Sequence, residues 1–175
     1  MGKKTLFWDL DGTLAKWNNN ATMDDIVKPG YFANIEPEKQ LVRLVNNLIH
    51  DGTYDVYILS HYMPETTAYE DKLKWVKKYM PKLDLKHCLL VPCGVDKATY
   101  IRDIRKCELP KDYVLIDDFS TNLRNWHSAG GTAIKWLNGI NGTCKSSNGT
   151  FLSGDRIDNA IALERVISEL EQKGN

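Results

Sequence analysis

Five short runs along the chain are almost wholly apolar: residues 5–10, 55–60, 88–92, 113–117 and 132–136. They are rich in Leu, Ile, Val, Phe and Tyr and do not alternate with polar residues. A near-continuous apolar run of this length predicts a strand buried on both faces, and hence a parallel sheet covered on each side. Between the runs the apolar spacing becomes helical. Residues 36–51 carry Leu41, Leu44, Val45, Leu48 and Ile49, with Gly52 just past the end as a stop. Residues 65–80 carry Leu73, Val76 and Met80 and stop at Pro81. Residues 96–106 carry Ile101 and Ile104, and residues 155–172 carry Ile157, Ile161, Val166, Ile167 and Leu170. Strands alternating with helices predict an α/β fold, a doubly wound parallel sheet, in one domain spanning residues 1–175.

Two stretches break the alternation. Residues 18–30 are polar and turn-rich, so that residues 15–30 read as a short flap. Residues 138–154 contain Asn-Gly three times, which predicts a β-hairpin or ordered loop. That segment follows the fifth strand, and it is expected to border whatever site lies at the strand ends.

Charge adds an exclusion. Lys plus Arg and Asp plus Glu both number 23, for a formal net charge of zero. That argues against a dedicated nucleic-acid binder, and no stable nucleic-acid partner is expected. No apolar run is long enough for a membrane span, and Asp9 and Asp11 interrupt the segment that a signal peptide would need. Cys88, Cys93, Cys107 and Cys144 show no zinc-ligand spacing. They read as reduced thiols of a cytoplasmic protein.

The chemistry lies at the ends of the apolar runs. In open α/β sheets ligands bind outside the carboxyl ends of the strands. The first run leads into "DLDGTL" at 9–14, which places Asp9 and Asp11 there, and Gly12 and Thr13 supply a turn whose N–H groups can face an anion. The second run ends in Ser60-His61, the fourth in Asp117-Asp118, and Lys97 follows the third. Carboxylates gathered this closely raise one another's pKa unless a cation sits among them. Mg²⁺ meets that need and keeps coordination positions for phosphate. Lys97 and Ser60 add donors for phosphate oxygens, and the whole set suits phosphoryl transfer.

The order of these motifs resembles the haloacid dehalogenase-like (HAD) phosphohydrolases. "PGYFANIEP" at 29–37, "VYILSHY" and "DKLKWVKKYM" bring the likeness closer to the 5'(3')-deoxyribonucleotidase branch, over residues 5 to about 122. The resemblance implies a HAD-like fold with a minimal cap, since only residues 15–28 stand where that branch carries a helical cap. It implies Asp9 as the nucleophile that forms an aspartyl-phosphate, and Asp11 as the acid and base. Mg²⁺ would be held by Asp9, the backbone carbonyl of Asp11, and Asp117, with Asp118 supporting through water or Lys97. Gly12, Thr13, Ser60, the backbone of His61, and Lys97 would bind phosphate. Trp17 and Tyr31 are candidates for stacking on a base, and Lys72 for support of the site; from composition alone Lys72 reads as a solvated helix lysine. The implied activity is hydrolysis of a small phosphomonoester, with (deoxy)nucleoside monophosphates favoured. The alternatives are a nucleic-acid end phosphatase with an open site and a non-enzymatic, receiver-like phosphoacceptor. Receivers, however, carry the acidic pair on the first strand and the phosphorylated Asp on the third, the reverse of the order here.

Overall fold

A computed structural model describes residues 3–140 and 159–172. The five apolar runs form one parallel sheet: β1 (Thr5–Trp8), β2 (Asp55–Tyr62), β3 (Cys88–Pro92), β4 (Tyr113–Asp117) and β5 (Thr132–Lys135), in the order β3-β2-β1-β4-β5. The helices are α1 (Met23–Ile26), α2 (Lys39–Asp51), α3 (Ala68–Tyr79), α4 (Lys97–Arg105), α5 (Ser120–Ser128) and α6 (Ala160–Gln172). This is the doubly wound α/β arrangement expected from the pattern.

The sheet's two faces explain the continuous apolar runs. Leu6 and Trp8 of β1 point to a layer holding Leu41 and Val45 of α2, Val76 of α3, and Leu163 and Ile167 of α6. Phe7 points to the opposite layer, with Ala98 and Ile101 of α4 and Leu123 and Trp126 of α5. Both sides of β1 are fully buried, at about 25 cal/mol per Å² of apolar area removed from water, and the strand has no polar face to show.

Several boundaries differ from expectation. β1 stops at Trp8, so Asp9 and Leu10 lie beyond the strand. β2 runs on to Tyr62, because Ser60, His61 and Tyr62 pair with Leu90, Val91 and Pro92 of β3. Ser60 and His61 are therefore inside a strand rather than at its end. Helix α5 was not anticipated at all, although two adjacent parallel strands require a crossover. The polar stretch after Trp17 holds α1, a single turn closed by a capping box between Thr22 and Asp25. For the last predicted helix, residues 155–158 lie outside the described residues, as do Cys144 and residues 141–154 of the expected hairpin.

The flap is pinned at its far end. Trp75 Nε1 of α3 donates to the Ile35 carbonyl at 2.8 Å, and the Gly30 N–H donates to Asp71 Oδ2 at 2.7 Å. Ile26, Phe32 and Ala68 form a small apolar cluster beneath it. The flap thus packs on α3 through a core of its own.

Candidate active site

β1 is central and β4 is its neighbour, so their carboxyl ends meet. Trp8 pairs with Ile116, and the Asp9 N–H donates to the Ile116 carbonyl at 3.0 Å. One residue further along each chain come Asp9 and Asp117, both buried. Helix α4 then delivers Lys97. Asp96 caps the helix by accepting from the Thr99 N–H at 2.8 Å, and Asn125 of α5 holds the other Asp96 oxygen at 2.7 Å. Lys97, fully buried in the first turn, donates to Asp9 Oδ1 at 2.8 Å and to Asp117 Oδ2 at 2.7 Å.

Asp117 also accepts from Asn122 Nδ2 at 2.9 Å and from the Phe119 N–H at 2.7 Å. Burial pushes its carboxyl above the usual range, and Lys97 offsets this only in part. Burial opposes the charge on Lys97, but the Asp117 and Asp9 carboxylates outweigh it and hold the ammonium above its ordinary value.

One carboxylate oxygen from each of Asp9, Asp117 and Asp118 falls within a 4.8 Å cluster, all three residues being buried. Three carboxylates lie beside the ammonium of Lys97, and Lys135 reaches the Asp118 backbone carbonyl, so acidic groups outnumber basic ones in a desolvated place. Hard oxygen donors with that excess fit a divalent cation such as Mg²⁺. Asp118 stands inside this set, and Lys97 bonds Asp9 and Asp117.

The Asp11 carboxylate points away from that cluster, to Lys72. Lys72 is buried, not solvated: it also donates to Ser60 Oγ at 3.2 Å and lies 4.6 Å from the centre of the Phe32 ring. Burial raises the Asp11 carboxyl. Lys72 works against this, and Asp9 adds to it; the net position is above the usual carboxylate value. Two neighbouring aspartates are thus held by two different lysines, one beside the acidic cluster and one apart from it.

The remaining predicted residues have mixed placements. Asp9, Asp11, Trp17, Ser60, His61 and Asp118 share a cavity of about 340 Å³. The His61 ring is tied to the Val95 carbonyl at 2.9 Å. Gly12 has φ +78°, and Thr13 Oγ1 is buried with no hydrogen-bond partner among the described residues. Trp17 also lines a groove of about 570 Å³ in the flap, together with Tyr31. Three participants were missed. Asn122 and Phe119 went unseen because α5 did; the spacing of Leu123 and Trp126 was the available signal. Asn138 contacts Asp118 and Gly12; its segment was expected to border the site, but nothing in the Asn/Gly-rich surroundings singled out this residue.

Comparison with known proteins agrees with this geometry. The chain is 34% identical over 96 residues to a Staphylococcus epidermidis protein named "Putative 5'(3')-deoxyribonucleotidase", a match covering 55% of this chain and 45% of that protein. A Staphylococcus aureus protein of the same name is 33% identical over 79 residues, or 43% of this chain and 42% of that one. The matches thus span less than half the length of these relatives. Among solved structures, a HAD family hydrolase from Deinococcus radiodurans with bound phosphate and sodium superposes with a TM-score of 0.60 at 12% identity, covering 95% of this chain and 96% of that one. The D,D-heptose 1,7-bisphosphate phosphatase of B. bronchiseptica, solved with magnesium and phosphate, gives a TM-score of 0.58 at 13% identity, covering 94% and 98%. The chain has the fold of the HAD-superfamily hydrolases. No protein-family model matches it.

Proposed function

We propose that this chain is a Mg²⁺-dependent phosphatase that hydrolyses small phosphomonoesters through an aspartyl-phosphate on Asp9, with (deoxy)nucleoside monophosphates as the favoured substrates. The observation that carries the reading is the division of labour between Asp9 and Asp11. Asp9 is buried beside Asp117, Asp118 and Lys97, while Asp11 lies at the same cavity with its carboxyl raised by burial. One is suited to be a nucleophile and the other to hold a proton.

Lys97 fixes Asp9 Oδ1, so Asp9 Oδ2 is the oxygen presented for attack. In the first step that oxygen bonds to phosphorus, the ester P–O bond breaks, and Asp11 passes its proton to the leaving oxygen. In the second step Asp11, now a carboxylate, takes a proton from water. The water oxygen bonds to phosphorus, the P–O bond to Asp9 breaks, and inorganic phosphate departs. Ser60 Oγ, which accepts from Lys72 and keeps its own proton, is the neutral donor for a phosphoryl oxygen. The Gly12 and Thr13 N–H groups, expected to face an anion, instead donate to the Ala15 and Leu10 carbonyls at 2.8 and 3.0 Å. Asp9, Asp117 and Asp118, with the Asp11 backbone carbonyl, would hold the cation, which when bound neutralises charge on the phosphoryl group.

The names of the staphylococcal relatives support the nucleotide preference, as does the aromatic pair Trp17 and Tyr31 in the groove beside the cavity. The test is a phosphate-release screen over nucleoside monophosphates, sugar phosphates and oligonucleotide 3'- and 5'-phosphates. It is run with Mg²⁺, with EDTA, and with the Asp9→Asn variant. The expected result is turnover that EDTA abolishes and Asp9→Asn lowers by orders of magnitude. Turnover in excess chelator, or by Asp9→Asn at the wild-type rate, overturns the reading. Preference for oligonucleotide ends would instead favour a second reading, to which the single-turn flap in place of a helical cap lends support.

A further inference from the structure

Asn138 lies just beyond β5, far in sequence from every motif that builds the site, and its side chain is engaged on both ends. Nδ2 donates to the Gly12 carbonyl at 2.8 Å and to Asp118 Oδ2 at 2.8 Å. Oδ1 accepts from the Ile140 N–H at 2.9 Å. Two acceptors on one side and a donor on the other fix which end of the amide is nitrogen. A carboxylate could not replace it, having no proton to give Asp118, and a hydroxyl has only one.

The bond joins two segments. Gly12 belongs to the turn after β1 and Asp118 to the turn after β4. Their closeness depends on position 12 having no side chain: a Cβ there would collide with the Asp118 carboxylate and stand 3.0 Å from Asn138 Nδ2. The glycine at position 12 is therefore explained twice, by its positive φ and by the Asp118–Asn138 pair that occupies the space a side chain would take. Lys135 of β5 adds a second hold, donating to the Asp118 backbone carbonyl and to Ser120 Oγ at 3.1 Å. The fifth strand and its exit, which contribute no chemical group of their own, thus grip Asp118 by carboxylate and by backbone.

We propose that Asn138 is a positioning residue for the cation site: by occupying Asp118 Oδ2 and tying it to the Gly12 carbonyl, it orients the Asp118 carboxylate toward Asp9 and Asp117. This rests on the cation reading given above and deepens it. A ligating carboxylate that is free to rotate binds metal less well, and loss of such outer partners lowers metal affinity by about 10- to 100-fold.

The test measures binding, not turnover. Mn²⁺ is titrated and followed by electron paramagnetic resonance, with Mg²⁺ competition, in the wild-type chain, Asn138→Leu, Asp118→Ala and the double variant. Leucine keeps the volume and removes the donors. The expected result is a 10- to 100-fold weaker affinity in Asn138→Leu, with no further loss when it is added to Asp118→Ala. Thermal melts without metal identify a variant that has failed to fold; in that case Asn138→Ser, which keeps a single donor and a smaller side chain, is used, with weakened affinity again expected. Wild-type affinity in the folded variants overturns the proposal, and so does an undiminished loss on the Asp118→Ala background. A wild-type chain that binds no divalent cation overturns both this proposal and the cation reading, and is told apart by that first titration.

Discussion

Lys97 Nζ and Asp9 Oδ1 stand 2.8 Å apart at the carboxyl end of the central strand, and the lysine is fully buried. That pair is a liability as well as a device. Deleting the lysine leaves Asp9 and Asp117 without their shared ammonium. Removing one partner from a buried ion pair costs about 3–5 kcal/mol. Lys97→Met is therefore expected to melt well below the wild-type chain in EDTA, with Mg²⁺ recovering more stability in the variant than in wild type. Phosphate release should fall at least about a hundredfold, since a charge facing the reacting oxygens is lost. Melting curves with and without Mg²⁺, alongside turnover, check both halves.

Lys72 acts on Asp11 and not on the acidic cluster, so its removal has a different signature. Burial and Asp9 both raise the Asp11 carboxyl, and Lys72 opposes them. Without Lys72 the carboxyl rises further. The proposed second step needs Asp11 deprotonated, so the acidic limb of the kcat–pH profile should move to higher pH in Lys72→Met. At neutral pH kcat is expected to drop by about a hundredfold or more, the scale of general acid–base contributions, with a smaller change in KM. An acidic limb that stays in place would mean that Lys72 only fills space between α3 and Phe32.

The fold was legible because β1 and β4 are buried on both faces, and such strands leave an unbroken apolar record. Asp9, Asp11, Lys97 and Asp117 were legible for a related reason: each sits where such a run stops or a helix begins. Helix α5 left a weaker record. Its first turn is Ser-Thr-Asn, and only Leu123 and Trp126 mark its buried side, so Asn122 and Phe119 were lost with it. Lys72 was illegible in another way. A lysine among lysines on a helix reads as solvated, and only the packing of α3 against the flap shows that its ammonium is enclosed. Asn138 depended on a contact across most of the chain, which no local pattern records.

The buried carboxyls set a pH dependence of stability. Burial raises both Asp117 and Asp11 above their unfolded values. Between the unfolded value, near 3.8, and the raised native value, the native chain keeps protons that the unfolded chain has released. Stability of the metal-free protein should therefore fall as pH rises through that window. Cation binding runs the other way, because the ligands must be deprotonated. The increase in Tm caused by Mg²⁺ should be larger at pH 8 than at pH 5. A shift that is equal at both would place the cation away from these carboxyls.

Trp17 lines both the cavity of the two aspartates and the larger groove of the flap, so its ring borders a ligand that extends from one into the other. A cavity of about 340 Å³ is near the small end of ligand sites, which run from about 300 to 1,000 Å³. It suffices for a phosphate and a little more, and a larger leaving group has to extend along Trp17. Stacking on an aromatic ring contributes about 1–3 kcal/mol per base. Trp17→Ala should then raise KM for a nucleoside monophosphate about fivefold or more. It should raise KM for glycerol phosphate much less, because that substrate has no planar group to stack. Trp17→Phe, which keeps an aromatic face, should recover most of the difference. Equal changes for both substrates would show that Trp17 shapes the cavity wall without reading the leaving group. The flap would then be a cover only, and the proposed preference for nucleotides would need another source.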